Sequence, residues 1–104
     1  MTPDWHHTFS ASLAQLGPAR AFTEVLRHGS MSVELYAPRG HDPQQPHAQD
    51  ELYVVQRGSG TFRRGEETVP FGPGDVLFVP ARMPHRFERF SAVPAIRVIA
   101  SGAP

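Results

Sequence analysis

The stretch Glu51-Leu-Tyr-Val-Val-Gln-Arg-Gly-Ser-Gly-Thr-Phe-Arg-Arg64 indicates the fold most clearly. It predicts two β-strands, over residues 51–57 and 61–64, that are joined by a turn at the two glycines. Side chains alternate between the two faces of a strand, so Glu51, Tyr53 and Val55 share one face. We expect that face to point into a closed sheet.

Short runs of the same kind lie on both sides of this hairpin. Eleven prolines and nine glycines in 104 residues favour frequent turns over long helices. Roughly eight or nine short strands at close spacing are typical of a β-sandwich or a β-barrel, so we expect an all-β fold. The pattern places the further strands at residues 22–27, 31–36, 68–71, 76–79, 85–90 and 95–100.

Two of these runs predict how their faces are buried. Between Met31 and Tyr36, apolar side chains alternate with mainly polar ones, so we expect one apolar face and one mostly wet face. The run from Val76 to Val79 is apolar throughout and is followed by a proline. Such a run is typical of a strand that is buried on both faces.

The chain divides into an N-terminal arm and one β-domain. Residues 1–20 are weakly patterned, and the arm contains one possible short helix, from Ser10 as the cap to Leu16, stopped by Gly17 and Pro18. Residues 21–104 carry the strand pattern. The length is that of a single domain.

Composition excludes several functions. Basic and acidic residues number ten each, which argues against nucleic acid or an anionic membrane as a partner. Without cysteine there can be no disulfide and no thiolate metal ligand. The N-terminus has no signal-peptide pattern and no run is long enough to span a bilayer. We therefore expect a cytoplasmic protein.

Ligand-type side chains are densest in residues 44–51. His47 and Glu51 flank three residues, which is a permitted hairpin loop length. Cross-strand neighbours have Cβ atoms ~5 Å apart, so this pair can grip one ion. His85 follows a proline-bounded turn and is the best third ligand. Two histidines and one carboxylate suit one divalent ion, namely iron, manganese, nickel, copper or zinc.

Two segments resemble the motifs of the cupin superfamily. In the second motif, Gly74, Pro80 and His85 match at the right spacing, whereas Arg82 replaces a glycine and Arg89 an asparagine. In the first motif the second histidine, the glutamate and the final glycine correspond to His47, Glu51 and Gly58, and Gln45 stands where the first histidine would be. The resemblance is closest to small single-domain bacterial cupins with a Pro-His-x-Gln-Asp-Glu first motif. It implies an RmlC-like jelly-roll β-barrel.

Other residues are candidates for roles near this site. Gln45 or Gln49 can supply an amide oxygen as an extra ligand, or act as an outer-sphere or turn residue. Tyr53 is either a catalytic residue or a core residue. Arg82 and Phe87 are candidate substrate-binding residues, Arg82 for an anionic group. The histidines and glutamate can also form a hydrogen-bonded cluster that holds no ion.

Two function classes remain open from the sequence. The first is a metal-dependent enzyme that acts on a small organic molecule, of a dioxygenase, isomerase or lyase type by the family resemblance. The second is a non-catalytic module that binds or senses a small molecule. In either case Leu52, Val54 and the 76–79 run need cover on the outside of the barrel, so we expect a homodimer.

Overall fold

The computed structural model describes residues 3–17, 19–39, 42, 48–90 and 94–100. These residues form one short helix and eight antiparallel strands. In chain order the elements are α1 (Phe9–Leu13), β1 (Phe22–His28), β2 (Met31–Tyr36), β3 (Asp50–Val55), β4 (Gly60–Arg64), β5 (Glu67–Phe71), β6 (Val76–Val79), β7 (His85–Glu88) and β8 (Ala95–Ala100). The predicted all-β jelly-roll fold is confirmed, and the strands agree with the predicted runs to within one or two residues at most ends.

The helix begins earlier than predicted. Thr8, not Ser10, is the N-cap, and its hydroxyl accepts a hydrogen bond from the backbone N–H of Ala11 at 3.2 Å. Just after the helix, Gln15 accepts a hydrogen bond from Thr23 of β1 at 2.7 Å, which ties the arm to the barrel. No helix among the described residues has the length and apolar character to cross a membrane.

The strands form two sheets that face each other. The larger has the order β1-β2-β8-β3-β6 and the smaller has the order β5-β4-β7. Register in the larger sheet aligns Glu34, Arg97, Tyr53 and Leu77 in one row across β2, β8, β3 and β6. A neighbouring row on the same face contains Glu51. These rows point between the sheets, so the barrel interior receives both charged and apolar side chains.

Aromatic rings fill most of the space between the sheets. Phe87 of β7 lies at the centre, with its ring edge-on to those of Tyr53, Phe62 and Phe71 at centroid separations of 5.3, 4.9 and 5.3 Å. Such edge-to-face pairs are favourable beyond their buried area. This packing fixes one wall of the polar cluster described below.

The prediction for the faces of β2 was wrong. The more polar set, Ser32, Glu34 and Tyr36, points into the barrel, and each of these residues is less than a tenth exposed. The interior tolerates Glu34 because it is paired with Arg97, and it tolerates Tyr36 because its hydroxyl donates to the Asp42 carboxylate. Buried polar groups are stable when they are paired in this way.

The prediction that residues 76–79 are buried on both faces does not hold for the isolated chain. Val79 is buried, but Val76 and Phe78 are 60% and 50% exposed. The physical reason is position, because β6 is an edge strand of the larger sheet. Its outer face has no layer over it in the isolated chain.

Backbone conformation explains four of the motif positions. Gly58 and Gly74 have φ values of 82° and 87°, in the left-handed region that favours glycine. Arg82 and Arg89, which replace the motif's glycine and asparagine, also have positive φ, at 66° and 53°. Glycine and asparagine are the residues that adopt this region most readily. At these four positions, the motif residues therefore reflect the backbone conformation that the turns require, and not metal ligation.

Candidate metal centre

Strand β3 brings a carboxylate and a phenol into the barrel. Glu51 and Tyr53 are two residues apart, so they share a face, and they are 2% and 0% exposed. Val55 continues the same face and is also buried. The expected inward orientation of these three residues is confirmed.

His85 is held at the start of β7 by the turn before it. One ring nitrogen, Nδ1, lies 2.8 Å from the backbone carbonyl oxygen of Met83, to which it donates when protonated. The same turn is fastened to β3, because the Asp50 carboxylate accepts a hydrogen bond from the Ala81 backbone N–H at 2.8 Å. The other ring nitrogen, Nε2, is therefore presented to the interior.

The Tyr53 hydroxyl lies within hydrogen-bonding distance of both Glu51 and His85. The Tyr53 hydroxyl donates to Glu51 Oε2 at 2.9 Å and lies 3.1 Å from His85 Nε2. His85 Nε2 lies 3.6 Å from the other glutamate oxygen, Oε1. The side chains of both Glu51 and His85 are 1% exposed, so the contact is sheltered from water.

The Glu51–His85 pair fits a shared metal ion. Ligand atoms that bind one ion at about 2.1 Å, at angles between octahedral and tetrahedral, lie roughly 3.0 to 3.4 Å apart. The observed 3.6 Å between Oε1 and Nε2 is close to that range. The Nδ1 contact with a carbonyl is the usual arrangement for a histidine whose Nε2 binds a metal.

Burial and charge shift the protonation of this cluster. Burial lowers the pKa of His85, but the Glu51 carboxylate and the Met83 carbonyl more than offset this, and the pKa lies above its usual value. Burial and the nearby Glu51 charge raise the pKa of Tyr53 well above its usual range. Tyr53 is therefore a neutral phenol in the metal-free protein at neutral pH.

Sequence reasoning missed a buried ion pair beside the cluster. Arg97 Nε and Nη2 lie 2.7 and 2.5 Å from Glu34 Oε1, and both residues are less than a tenth exposed. Arg97 also hydrogen-bonds to Tyr53, so it joins this pair to the Glu51–His85 pair. The signal was available, since each charge interrupts an apolar β run.

A second missed residue is Asp42, which precedes β3. Its carboxylate accepts hydrogen bonds from the Tyr36 hydroxyl and, at 2.8 Å, from the backbone N–H of Phe87. It is 3% exposed. An aspartate in a proline-rich loop gives no sequence signal of burial, because such residues usually serve turns.

The remaining predicted residues are divided between the core, the surface and the undescribed part of the chain. His47 and Gln45 lie outside the described residues. Gln49 is exposed just before β3, and Arg82 is exposed on the turn before β7. Phe87 is 1% exposed in the aromatic core. Among the described residues, no three histidine, aspartate or glutamate side chains form a group that could hold a metal.

A groove of about 200 Å³ lies next to this cluster. Phe62 and Leu77 contribute to its lining, and the Phe62 ring also contacts the rings of Tyr53 and His85 at centroid separations of 5.8 and 6.1 Å. Apolar side chains dominate the lining. The Phe62 ring is thus in contact with both the groove and the polar cluster.

Comparisons with known proteins agree with this architecture. A Streptomyces coelicolor protein described as uncharacterised is 42% identical over 73 residues, which are 68% of this chain and 70% of that protein. The solved structure of the Thermus thermophilus protein TT1209 has a TM-score of 0.73 and 30% identity, and the match covers 91% of this chain and 96% of that one. A cupin-2 domain protein from Shewanella frigidimarina, at 13% identity, shares the fold alone, with a TM-score of 0.76 over 90% of this chain and 93% of that one.

The family profile described as "Cupin domain" matches residues 32–99, the segment from β2 to β8 that contains Glu51, Tyr53, His85 and Arg97. With eight antiparallel strands in two facing sheets, and with both motifs in order, the chain belongs to the cupin family.

Proposed function

We propose that this cupin binds one divalent metal ion through His47, Glu51 and His85 and acts as a metal-dependent enzyme on a small organic molecule. The observation that carries the proposal is the buried approach of Glu51 Oε1 and His85 Nε2 to 3.6 Å. His85 is oriented by Met83, so its Nε2 faces the carboxylate. A carboxylate and an imidazole held this way are a typical start for a two-histidine, one-carboxylate site.

The third ligand is supported by the chain on either side of it. Asp42 is fastened to β7, the strand that His85 opens. Ala48, which follows His47 in the sequence, leads directly into β3, where Glu51 lies. The described residues that flank His47 in the sequence are therefore close to the two strands that carry the other proposed ligands.

The chemistry expected at such a site is polarisation of substrate oxygen atoms. An ion with open coordination positions supplies Lewis acidity when it is bound. Before an ion binds, Tyr53 holds a proton at its hydroxyl beside Glu51 and His85, and the buried rings of Phe62 and Phe87 exclude water. The neighbouring apolar groove suits the carbon skeleton of a small molecule.

The second candidate is a module that binds or senses a small molecule without converting it. The feature that favours it is the replacement of the first motif histidine by Gln45, because an amide oxygen is a weaker ligand than imidazole for a borderline metal. A site that binds its metal more weakly can still bind a small molecule without converting it.

A two-stage measurement separates the two functions. The metal-loaded protein is screened for thermal stabilisation by a panel of small organic acids, sugars and aromatic compounds, and each stabilising compound is then analysed for products. The enzyme proposal predicts conversion that is lost in His85→Ala and kept in Arg86→Ala, whose side chain is exposed on the same strand. Recovery of the stabilising compound unchanged supports the binding module, and conversion that survives in His85→Ala contradicts the assigned site.

A further inference from the structure

The Tyr53 hydroxyl occupies the centre of the buried cluster. It lies 2.9 Å from Glu51 Oε2 and 3.1 Å from His85 Nε2, and Tyr53 is fully buried. A hydrogen bond within a core is ordinary, but this hydroxyl touches both described members of the proposed metal site. Its position therefore makes it a candidate for a further ligand of that site.

Four donor atoms on three side chains have about the spacing of ligands that share an ion. The Tyr53 hydroxyl lies 2.9 Å from Glu51 Oε2 and 3.1 Å from His85 Nε2, and His85 Nε2 lies 3.6 Å from the other glutamate oxygen, Oε1. Ligand atoms around one ion at about 2.1 Å lie roughly 3.0 to 3.4 Å apart. Tyr53 thus supplies a third oxygen or nitrogen donor from among the described residues.

The interior also holds the tyrosine in place. Arg97 hydrogen-bonds to Tyr53 and is itself fixed by two contacts with Glu34. A guanidinium beside the phenol oxygen favours a negative charge there once an ion displaces the proton. The rings of Phe62 and Phe87 pack against the tyrosine ring at 5.8 and 5.3 Å and restrict its movement.

We propose that Tyr53 is a direct metal ligand, taking the place of the first motif histidine that this chain lacks. This inference rests on the proposed metal site. With phenolate and carboxylate as two anionic oxygen donors, the proposed divalent-metal site would also bind ferric iron, a hard ion that such oxygens stabilise and that serves here as a spectroscopic probe. Binding releases the phenol proton to solvent, and no electron is transferred.

The test uses a property of phenolate that other ligands do not share. A phenolate bound to ferric iron gives an intense charge-transfer band in visible light and enhanced phenolate bands in resonance Raman spectra. Metal-free protein is titrated with ferric nitrilotriacetate, and bound iron is measured by elemental analysis. The protein has two tyrosines, so Tyr36→Phe is a matched control, because Tyr36 is buried in the same barrel but donates to Asp42.

The proposal predicts a visible band in the wild type and in Tyr36→Phe, and a loss of at least tenfold in Tyr53→Phe. If Tyr53→Phe does not fold, wild-type protein made with ring-deuterated tyrosine provides a second test. Deuteration shifts the Raman bands of a tyrosine that binds iron. If the bands persist in Tyr36→Phe, they belong to Tyr53. One equivalent of bound ferric iron without a phenolate band overturns the tyrosine ligand and leaves the metal site standing. No bound metal of any kind overturns both.

Discussion

Arg97 is a buried cation with several partners in the barrel interior. Its guanidinium contacts Glu34 and Tyr53 and lies 4.3 Å above the centre of the Tyr36 ring. Burial lowers the pKa of Arg97, but Tyr53 and Glu34 more than offset this, so Arg97 remains charged. Removing one partner of a buried pair leaves an uncompensated charge, whereas removing both is far less costly.

We therefore predict that Arg97→Met destabilises the fold by about 3–5 kcal/mol, and that adding Glu34→Leu recovers most of this loss. The measurement is urea unfolding. The control is Arg27→Met, because Arg27 and Glu24 form a similar 2.7 Å contact on the surface, with side chains 60% and 43% exposed. That change should cost about 1 kcal/mol or less. Equal losses of unfolding free energy in Arg97→Met and Arg27→Met would show that burial does not determine how much the ion pair contributes to stability.

His85 gives the metal-free protein a pH dependence with a defined sign. Its folded-state pKa is raised, so its protonated form stabilises the fold below the usual histidine pKa, and this contribution is lost as the pH rises through the raised value. Among the residues that the structure describes, the charged and titratable groups around it include Glu51 and Tyr53 on β3, Asp42 before β3, and Arg64, its partner on β4.

In the presence of a chelator, we expect the free energy of unfolding to fall more for the wild type than for His85→Gln between pH ~6 and pH ~8.5. Urea titrations at the two pH values measure the difference. Exposed His28 offers a control, because His28→Gln should keep the wild-type dependence. Identical pH profiles for the wild type and His85→Gln would contradict the raised pKa.

At the scale of elements, short turns decide where the site residues lie. The Asp50–Ala81 hydrogen bond couples the turn before β7 to the start of β3, and the Gly65 backbone N–H bonds to Pro84 at 2.8 Å. Two arginines near these turns have a strained, left-handed backbone conformation. Arg82 lies in the turn before β7, and Arg89 directly follows β7. A non-glycine residue with left-handed backbone costs roughly 1–2 kcal/mol, and asparagine tolerates it better than arginine.

Arg89→Asn is therefore expected to stabilise the protein by about 0.5–1 kcal/mol without changing metal content. Thermal and urea unfolding measure the stability. Arg86→Asn is the matched control, because Arg86 is exposed within β7, where asparagine is unfavourable, and stability should not rise. A stabilisation shared by both variants would point to surface charge instead of backbone strain.

The strand elements were predictable because alternation of side chains is a local property. The face that each strand buries was not predictable, as β2 and β6 show. The polar face of β2 is internal because Arg97, 63 positions away along the chain from Glu34, supplies the counter-charge. Whether residues 76–79 are covered depends on β6 being an edge strand. Both facts follow from long-range pairing that a single stretch of sequence does not contain.

On the scale of the whole molecule, the outer face of the larger sheet carries an apolar row that could pack against a second copy of the chain. Register places Val33, Val98, Leu52 and Phe78 in one outward row across β2, β8, β3 and β6. The first three are partly buried, and Phe78 is 50% exposed. A continuous apolar row of this kind is typical of an interface, and a two-fold axis lets the same row meet itself. We propose a homodimer through this face.

The dimer proposal predicts that Phe78→Glu converts a dimer to a monomer, as measured by sedimentation equilibrium. The folded monomer should lose little stability, since the side chain is half exposed. Thr68→Glu is the control, because Thr68 is exposed on β5 of the other sheet, and this variant should remain dimeric. A monomeric wild type, or a dimeric Phe78→Glu, would rule out this interface.

The candidate site was predictable in part. Glu51 and His85 follow from motif spacing, and the structure brings them together, but Arg97, Glu34 and Asp42 join the cluster through pairings that spacing does not encode. His47 remains a predicted ligand. The proposed function therefore depends on whether buried Glu51 and His85 hold a metal ion.

Elemental analysis of protein purified without added metal, and again after loading and desalting, tests that claim most directly. We predict close to one equivalent of a transition metal in the wild type and in the surface control Arg86→Ala, and at least a tenfold loss in Glu51→Gln and His85→Ala. Wild-type protein without stoichiometric metal after loading, or metal content unchanged in both site variants, would contradict it.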